Sequence, residues 1–362
     1  MKAKPITALV TPLDWGLGHA TRCIPIIDAL LERNVRVIIG SSSSPLQLLQ
    51  KEYPNLEFIR LPRYDIKYYT KDMTLNVLIQ TPHIFRTIRR EYLAVQKIVK
   101  DYQVDLIISD NRFGCSSKLA YSIFMSHQLY IITPIKWMAK PILKLNTYYI
   151  RDFDVCWVPD YGGANNLAGV LCHPALPSPS TYLGILSRMK SEQVESKYDV
   201  LFLLSGPEPQ RTRLEQILLQ QIPTLEGNIL LVQGKTERYE EQQIAPNVKI
   251  VSYLTSEALN AVMNESKIIV CRSGYSTLMD LVKLGKPALL VPTPGQTEQE
   301  YLAKHLQAQG IFNYQAQNAI DIQKGLAEAH QYKGPSALPF GADHQLLEQA
   351  IDAVLQKIST KV

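Results

Sequence analysis

The chain has 362 residues, 46% of them hydrophobic and 20% charged, with a formal net charge of +5; that suits a globular protein of two ordinary domains and excludes a disordered or fibrous one. No apolar run approaches the ~18 to 20 residues that cross a bilayer, the amino terminus reads as a first strand and not as a secretory signal, and the mild charge tolerates an anionic substrate without requiring nucleic acid. The five cysteines (Cys23, Cys115, Cys156, Cys172, Cys271) are spread out, with no CxxC pair and no histidine at ligand spacing, which points to a reducing, cytoplasmic compartment and away from a structural metal.

Residues 6–11 (ITALVT) predict a strand, and PLDWGLGHATRCIPIIDALLERN a glycine-bearing turn opening a helix with Ile24, Ile27, Leu30 and Leu31 at apolar positions. Residues 35–39 make the next strand, which completes a βαβ unit whose first turn is the expected ligand edge of such a sheet. His19 stands at that turn, with Gly16 and Gly18 leaving room for substrate, although a lone histidine is more often structural. Residues 41–44 form a loop that starts a short helix. Strand 56–61, a helical stretch 81–102 and strand 104–109 (VDLIIS) follow, and the last ends at Asp110. Residues 129–133 and 153–158 read as strands with a helix within 138–150 between them, and 182–186 as the close of the first sheet. Between them, 161–180 carries Gly-Gly, Asn-Asn and the proline-spaced HPALPSPS, which suits the approach to a domain boundary.

The division read from this pattern is a first domain 1–186, a polar linker 187–197, a second domain 198–342 and a terminal helix 343–362. In the second domain the alternation restarts with strand 199–204, the turn SGPEPQR, helix 211–220, strands 228–232 and 248–251, and helix 256–263. Two α/β domains with parallel sheets result.

The most compact stretch is 270–292, VCRSGYSTLMDLVKLGKPALLVP. Strand 267–271 leads into a tight turn, and helix 277–284 places Leu278, Leu281 and Val282 on one face. Gly285 ends that helix in a left-handed conformation before strand 288–291. The turn Arg272-Ser273-Gly274-Tyr275-Ser276-Thr277 therefore feeds a helix N-terminus at the carboxyl end of a strand, where unpaired N–H groups, hydroxyls and the helix dipole suit a diphosphate. The plain alternative is that Ser276 or Thr277 simply caps the helix.

Without a gap, this block resembles the donor-binding motif of glycosyltransferase family 28, in its MurG-like group. The resemblance implies a GT-B fold, in which two Rossmann-like domains face each other across a cleft and the terminal helix commonly crosses back to the first. It also implies an inverting enzyme without cofactor or divalent ion, moving a hexose or N-acetylhexosamine from a UDP-sugar to a hydroxyl of a lipid-linked or cell-envelope glycan. By the same resemblance His19 is a candidate general base. Asp110, at the carboxyl end of the fourth strand, could orient its ring as the carboxylate does in other His–Asp pairs, or equally cap a helix or pair with Arg112. Ser205 and Gly206 match a turn that helps hold the diphosphate, and Arg211 is either a phosphate ligand or a surface arginine. The backbone at Leu254 falls where the base is read. Asp280 falls where the family usually has a glutamate against the ribose, so the carboxylate is one methylene shorter.

Glu298 and Gln299 match the sugar-reading pair, with Gln299-Glu300 an alternative register, and the asparagine that usually follows is absent. Residues 84–100 and 133–151 interleave Arg and Lys with Trp and Tyr, which suits an anionic membrane surface at the inner face of the cytoplasmic membrane as well as an ordinary solvated face. Two other readings remain: an epimerase of the same fold, which would need further catalytic carboxylates, and a non-catalytic nucleotide-sugar-binding subunit.

Overall fold

The computed structural model describes residues 4–65, 73–133, 137, 139–163, 166–172, 179–235, 238–338 and 344–360, with the backbone alone for 73–78. It divides into two units, Met1–Arg188 with Asp343–Val362, and Met189–Ala342. Each is built on a seven-stranded sheet.

In the first unit the strands are β1 (Thr7–Pro12), β2 (Arg36–Ser41), β3 (Glu57–Arg60), β4 (Leu106–Asp110), β5 (Tyr121–Met125), β6 (Val155–Val158) and β7 (Ser180–Tyr182). They lie in the order β3-β2-β1-β4-β5-β6-β7, and every pairing is parallel. The central strands are continuous apolar runs because both of their faces are covered; β1 and β4 are buried throughout. Helices α1 (Leu17–Glu32), α2 (Ser43–Glu52), α3 (Met73–Tyr102) and α4 (Ala139–Ile150) lie in the connections. Along α1 the residues Ala20, Cys23, Ile24, Ile27 and Leu30 are buried, the spacing of one helical face.

The strand expected at 129–133 is not one. YSIFM, just upstream, takes that place, pairing with β4 from Leu106↔Tyr121 to Asp110↔Met125, while the N–H groups of Leu129 and Tyr130 both donate to the Leu171 carbonyl at 2.8 Å. Both runs are apolar and β-prone, so local pattern cannot choose between them; pairing against β4 does.

Behind the loops at the carboxyl edge lies a fully buried ion pair, Arg112 Nε to Glu91 Oε1 at 2.6 Å. Glu91 Oε2 also accepts from the Tyr64 hydroxyl and the Gly114 N–H, and Arg112 donates to the carbonyls of Pro12 and Pro62. This network ties the loops after β1, β3 and β4 to α3. It commits Arg112 to Glu91 and leaves Asp110 to other partners.

The second unit runs β8 (Tyr198–Leu203), α5 (Gln210–Gln221), β9 (Ile229–Val232), β10 (Glu241–Ala245), β11 (Val248–Val251), α6 (Ser256–Asn264), β12 (Ser266–Cys271), α7 (Tyr275–Leu284), β13 (Ala288–Leu290), α8 (Thr297–Ala308), β14 (Asn313–Tyr314) and α9 (Ile322–Ala329). The strand order is β10-β11-β9-β8-β12-β13-β14, parallel except for β10. Strand β10 carries no apolar pattern: EQQIA has no buried face, and a polar, charged strand is what an exposed sheet edge tolerates. The core packs Val200, Phe202, Leu231, Val270 and Leu289 of the sheet against Leu214 and Leu218 of α5. Residues 190–192 lie along α6, where Asn260 and Asn264 bond their backbone.

Helix α7 begins two residues earlier than its apolar spacing suggested. It closes at Gly285 (φ 65°, ψ 24°), with the Lys286 N–H bonded to Leu281 O at 3.0 Å and the Gly285 N–H to Val282 O at 3.2 Å, the left-handed ending that glycine accommodates without strain. The chain then returns to the first unit as α10 (Gln345–Ser359). There Asp352 pairs with Arg33 at the end of α1, and the Lys357 ammonium sits 4.9 Å over the Tyr121 ring. Among the described residues no helix is long and apolar enough to cross a membrane.

Candidate active site

A parallel sheet opens a crevice outside its carboxyl ends where the chain leaves one strand for the left and its neighbour for the right. In the first unit that point lies between β1 and β4, and it is where His19 and Asp110 meet. His19, in the first turn of α1, has Nδ1 3.0 Å from Oδ2 of Asp110, the last residue of β4. Arg22, one turn along α1, grips the same carboxylate through Nε to Oδ2 at 2.8 Å and through Nη2 to Oδ1. Its Nη2 lies 2.7 Å from His19 Nδ1, and its Nη1 lies 3.0 Å from Nδ1 of His127 in the loop after β5. Arg22 and Asp110 are buried, whereas the His19 side chain is 18% exposed. Among the described residues nothing bonds Nε2 of His19.

Burial alone would raise the Asp110 carboxyl, but Arg22 and then His19 outweigh it and hold its pKa at about 2. His19 moves below its ordinary value, first because burial penalises the charged ring and then because Arg22 is close, with Asp110 opposing. The first-unit site is therefore a carboxylate anchored by a guanidinium, with a neutral imidazole whose other nitrogen is available. The N-cap of α1, Gly16, has nothing within 4 Å of where a Cβ would stand, and Gly18 follows in the first turn, so the helix end is open beside the ring.

In the second unit the corresponding point lies between β8 and β12. Ser205 and Gly206 follow β8, Arg272 and Ser273 follow β12, and Thr293 follows β13. Arg272 is 1% exposed, and its guanidinium meets only neutral acceptors: the carbonyls of Val291 and Gln210 at 3.0 Å, that of Pro292 at 3.3 Å, and Gln317 Oε1 at 2.7 Å. Among the described residues no carboxylate pairs with it, and burial pulls its pKa down to about 10.

Two buried polar atoms here have no partner among the described residues, Arg272 Nε and Thr293 Oγ1. Both look toward one glycine: a Cβ on Gly206 would stand 3.5 Å from Thr293 Oγ1 and 4.0 Å from Arg272 Nε. With φ at 101°, Gly206 occupies a conformation few other residues adopt. Nearby, α7 starts from Gly274, an N-cap that brings no side-chain oxygen, so Ser276 and Thr277 are not caps but members of the first helical turn. A buried uncompensated cation, two unpartnered polar atoms and a helix N-terminus bare of a side-chain cap together suit an anion.

The remaining candidates divide. Leu254, between β11 and α6, has a backbone N–H and C=O without partners among the described residues, and Asp280 lies partly buried on α7. Arg211 is held by Glu208, by Glu215 at 3.4 Å and by the Gln233 carbonyl at 3.1 Å, so its guanidinium braces the turn it stands on. Gln299 accepts from the Thr293 N–H at 2.9 Å and donates to Gln296, while Glu300 accepts from the Gly295 N–H. Both fold back onto the loop ahead of α8, and the Ser273 hydroxyl donates to the Gln299 carbonyl at 2.8 Å. Glu298 stands in the first turn of α8.

Residues 204–333 match the model of the glycosyltransferase family 28 C-terminal domain, and the match spans the whole second-unit site. An uncharacterized glycosyltransferase of Methanosarcina acetivorans is 22% identical over 325 residues, 82% of each chain. The UDP-N-acetylglucosamine–N-acetylmuramyl-(pentapeptide) pyrophosphoryl-undecaprenol N-acetylglucosamine transferase of Lactobacillus gasseri is 25% identical over 355 residues, 91% of this chain and 88% of that one.

The chain is a glycosyltransferase, and it is similar to the MurG-like members of family 28.

Its fold is GT-B: the structure of Acinetobacter baumannii MurG superposes with a TM-score of 0.58 over 98% of this chain and 100% of that one, at 14% identity. Within this glycosyltransferase, three residues the sequence reading did not single out stand in the sites. Arg22 could have been noticed as a charged residue beside Cys23 and Ile24 on an apolar helical face. Thr293 and Gln317 carry no such signal, because an isolated Thr or Gln near a strand end is ordinary. Among the described residues no group of three or more His, Cys, Asp or Glu side chains is arranged to hold a metal ion.

Proposed function

We propose that this enzyme transfers a hexose or N-acetylhexosamine from a UDP-sugar to a hydroxyl of a lipid-linked or cell-envelope glycan, inverting the anomeric carbon and using no bound metal. The observation that carries this reading is Arg272, a buried cation without a carboxylate, whose unpartnered Nε and the neighbouring Thr293 hydroxyl look toward Gly206. Such a site is completed by an anion, and a diphosphate also reaches the α7 N-terminus. The unpartnered backbone of Leu254 suits a base edge, and Asp280 suits the ribose hydroxyls. What favours uridine as the base is the activity named for the Lactobacillus relative.

In the reaction, the acceptor O–H proton passes to Nε2 of His19 as the acceptor oxygen forms its bond to the anomeric carbon. The bond from that carbon to the diphosphate oxygen breaks, its electron pair leaves on the diphosphate, and the imidazolium returns the proton to solvent. The charge developing on the leaving group is met by Arg272, Thr293 and the α7 dipole. Gln299 steadies the 293–296 loop, and Glu298 in the first turn of α8 is assigned to the sugar hydroxyls.

Thermal unfolding with UDP, dTDP, ADP and UDP-N-acetylglucosamine tests the reading, because a ligand of the folded state raises stability by mass action. UDP and its sugar should raise the midpoint, Arg272→Met should abolish the rise, and EDTA should leave both the rise and transfer unchanged. No rise with any nucleotide, or binding and transfer lost on chelation, would overturn it.

A further inference from the structure

The first-unit site contains more than a histidine and a carboxylate. Nδ1 of His19 has two neighbours at bonding distance with opposite demands: Asp110 Oδ2 at 3.0 Å, which accepts, and Arg22 Nη2 at 2.7 Å, which only donates. A ring that donates from Nδ1 to the carboxylate keeps a lone pair on Nε2; a ring that accepts from the guanidinium carries its proton on Nε2 and cannot act there as a base. Arg22 is itself fixed from three elements. It belongs to α1, it binds both oxygens of Asp110 at the end of β4, and its Nη1 donates to His127 Nδ1 in the loop after β5.

We propose that Arg22 is a positioning residue for the transfer reaction: by binding both oxygens of Asp110 and lying against the Nδ1 edge of His19, it sets the orientation and proton occupancy of the ring so that Nε2 receives the acceptor's proton. The proposal rests on the reading of His19 as the base. An unpaired buried aspartate beside the ring would stabilise an imidazolium already holding both protons, which is useless as a base. With Arg22 present, the carboxylate is already paired, and a charged ring would put two cations against one anion away from water. The groups facing the ring are Arg22 from α1, Asp110 from β4 and His127 from the loop after β5. Cys23 of α1 lies by the same carboxylate, and burial first, then Asp110, keeps its thiol protonated.

The test is the pH dependence of transfer in Arg22→Met and Arg22→Lys, joined to an NMR titration of the His19 ring in each variant. The base must be unprotonated, so the rate falls as pH drops through the ring's pKa. Removing Arg22 takes away a cation and unpairs Asp110, and both changes raise that pKa. The expected result for Arg22→Met is a transfer rate reduced at least tenfold more at pH 6 than at pH 8.5, with the ring titrating at higher pH than in the wild type. Arg22→Lys, which keeps the charge but not the two-oxygen grip, should fall between. Equal loss at every pH together with an unmoved ring titration would overturn the proposal. If His19→Ala retains full transfer, the base reading fails instead, and the ring titration alone still reports whether Arg22 controls the proton.

Discussion

Burying a charge without a counterion is among the costlier things a fold does, and Arg272 sits in that state with four neutral acceptors around it. Thr293 adds a hydroxyl in the same condition. Stability and binding should therefore respond in opposite directions to one substitution. Thr293→Val keeps the volume and removes an unpartnered polar atom, so chemical unfolding of the free protein should show unchanged or slightly greater stability, by up to about 1 kcal/mol, while UDP affinity in calorimetry falls several-fold. Loss of stability with UDP affinity intact would mean that the hydroxyl serves the fold and not a ligand. Gly206→Ala should weaken UDP more, because a methyl would stand in the space both atoms face. How much of this was legible depended on the residue. Arg272 lay inside a recognisable turn, whereas Thr293 became visible only once β12 and β13 were paired. His19 and Asp110 could be placed at strand ends, but Arg22 at the third corner needed the helix to be seen docked on β4.

At the scale of elements, the strand–turn–helix–turn–strand block was readable because its signals agree: an apolar strand, one helical face and a glycine at the left-handed ending. Its helix boundary was misread by two residues since Tyr275 and Ser276 add nothing to the apolar period. Gly285→Ala forces a Cβ into left-handed backbone where no packing opposes it, so a pure conformational cost of roughly 1–2 kcal/mol is expected from denaturant unfolding. β5 was misplaced because two β-prone runs lay in succession, and β10 was invisible because its residues are polar. On the first unit, α3 and α4 meet through Phe85 and Tyr149; α3 also exposes Leu93, α4 exposes Leu145 and Tyr148, and Trp137, just before α4, is 76% exposed. Arg151 covers the Tyr148 ring at 3.9 Å; Lys136 falls outside the described residues. Basic side chains among exposed aromatics suit anionic headgroups. Salt-sensitive flotation with anionic liposomes, reduced in Trp137→Ser with Leu93→Ser, is the expected outcome, and no flotation at low salt would indicate a soluble acceptor.

At the scale of the molecule, two sheets of similar wiring each offer one ligand point, at β1/β4 and at β8/β12, and the chain supplies each with different chemistry. The alternation of strands and helices made this architecture legible in the sequence, since parallel sheets impose it. The return of α10 to the first unit was legible only through the family resemblance, because an amphipathic terminal helix fits many surfaces equally well. With the donor bound by one unit and the acceptor's proton removed by the other, the two functions should separate by mutation. The most direct measurement is UDP release from UDP-N-acetylglucosamine with a polyprenyl-diphosphate-linked saccharide as acceptor, in wild type and in His19→Ala, beside calorimetric UDP binding by both. Acceptor-dependent release should fall by ~10²-fold or more in the variant, with UDP affinity preserved within about twofold. Wild-type release by His19→Ala, or an epimerised UDP-sugar formed without acceptor, would contradict transfer with His19 as the base.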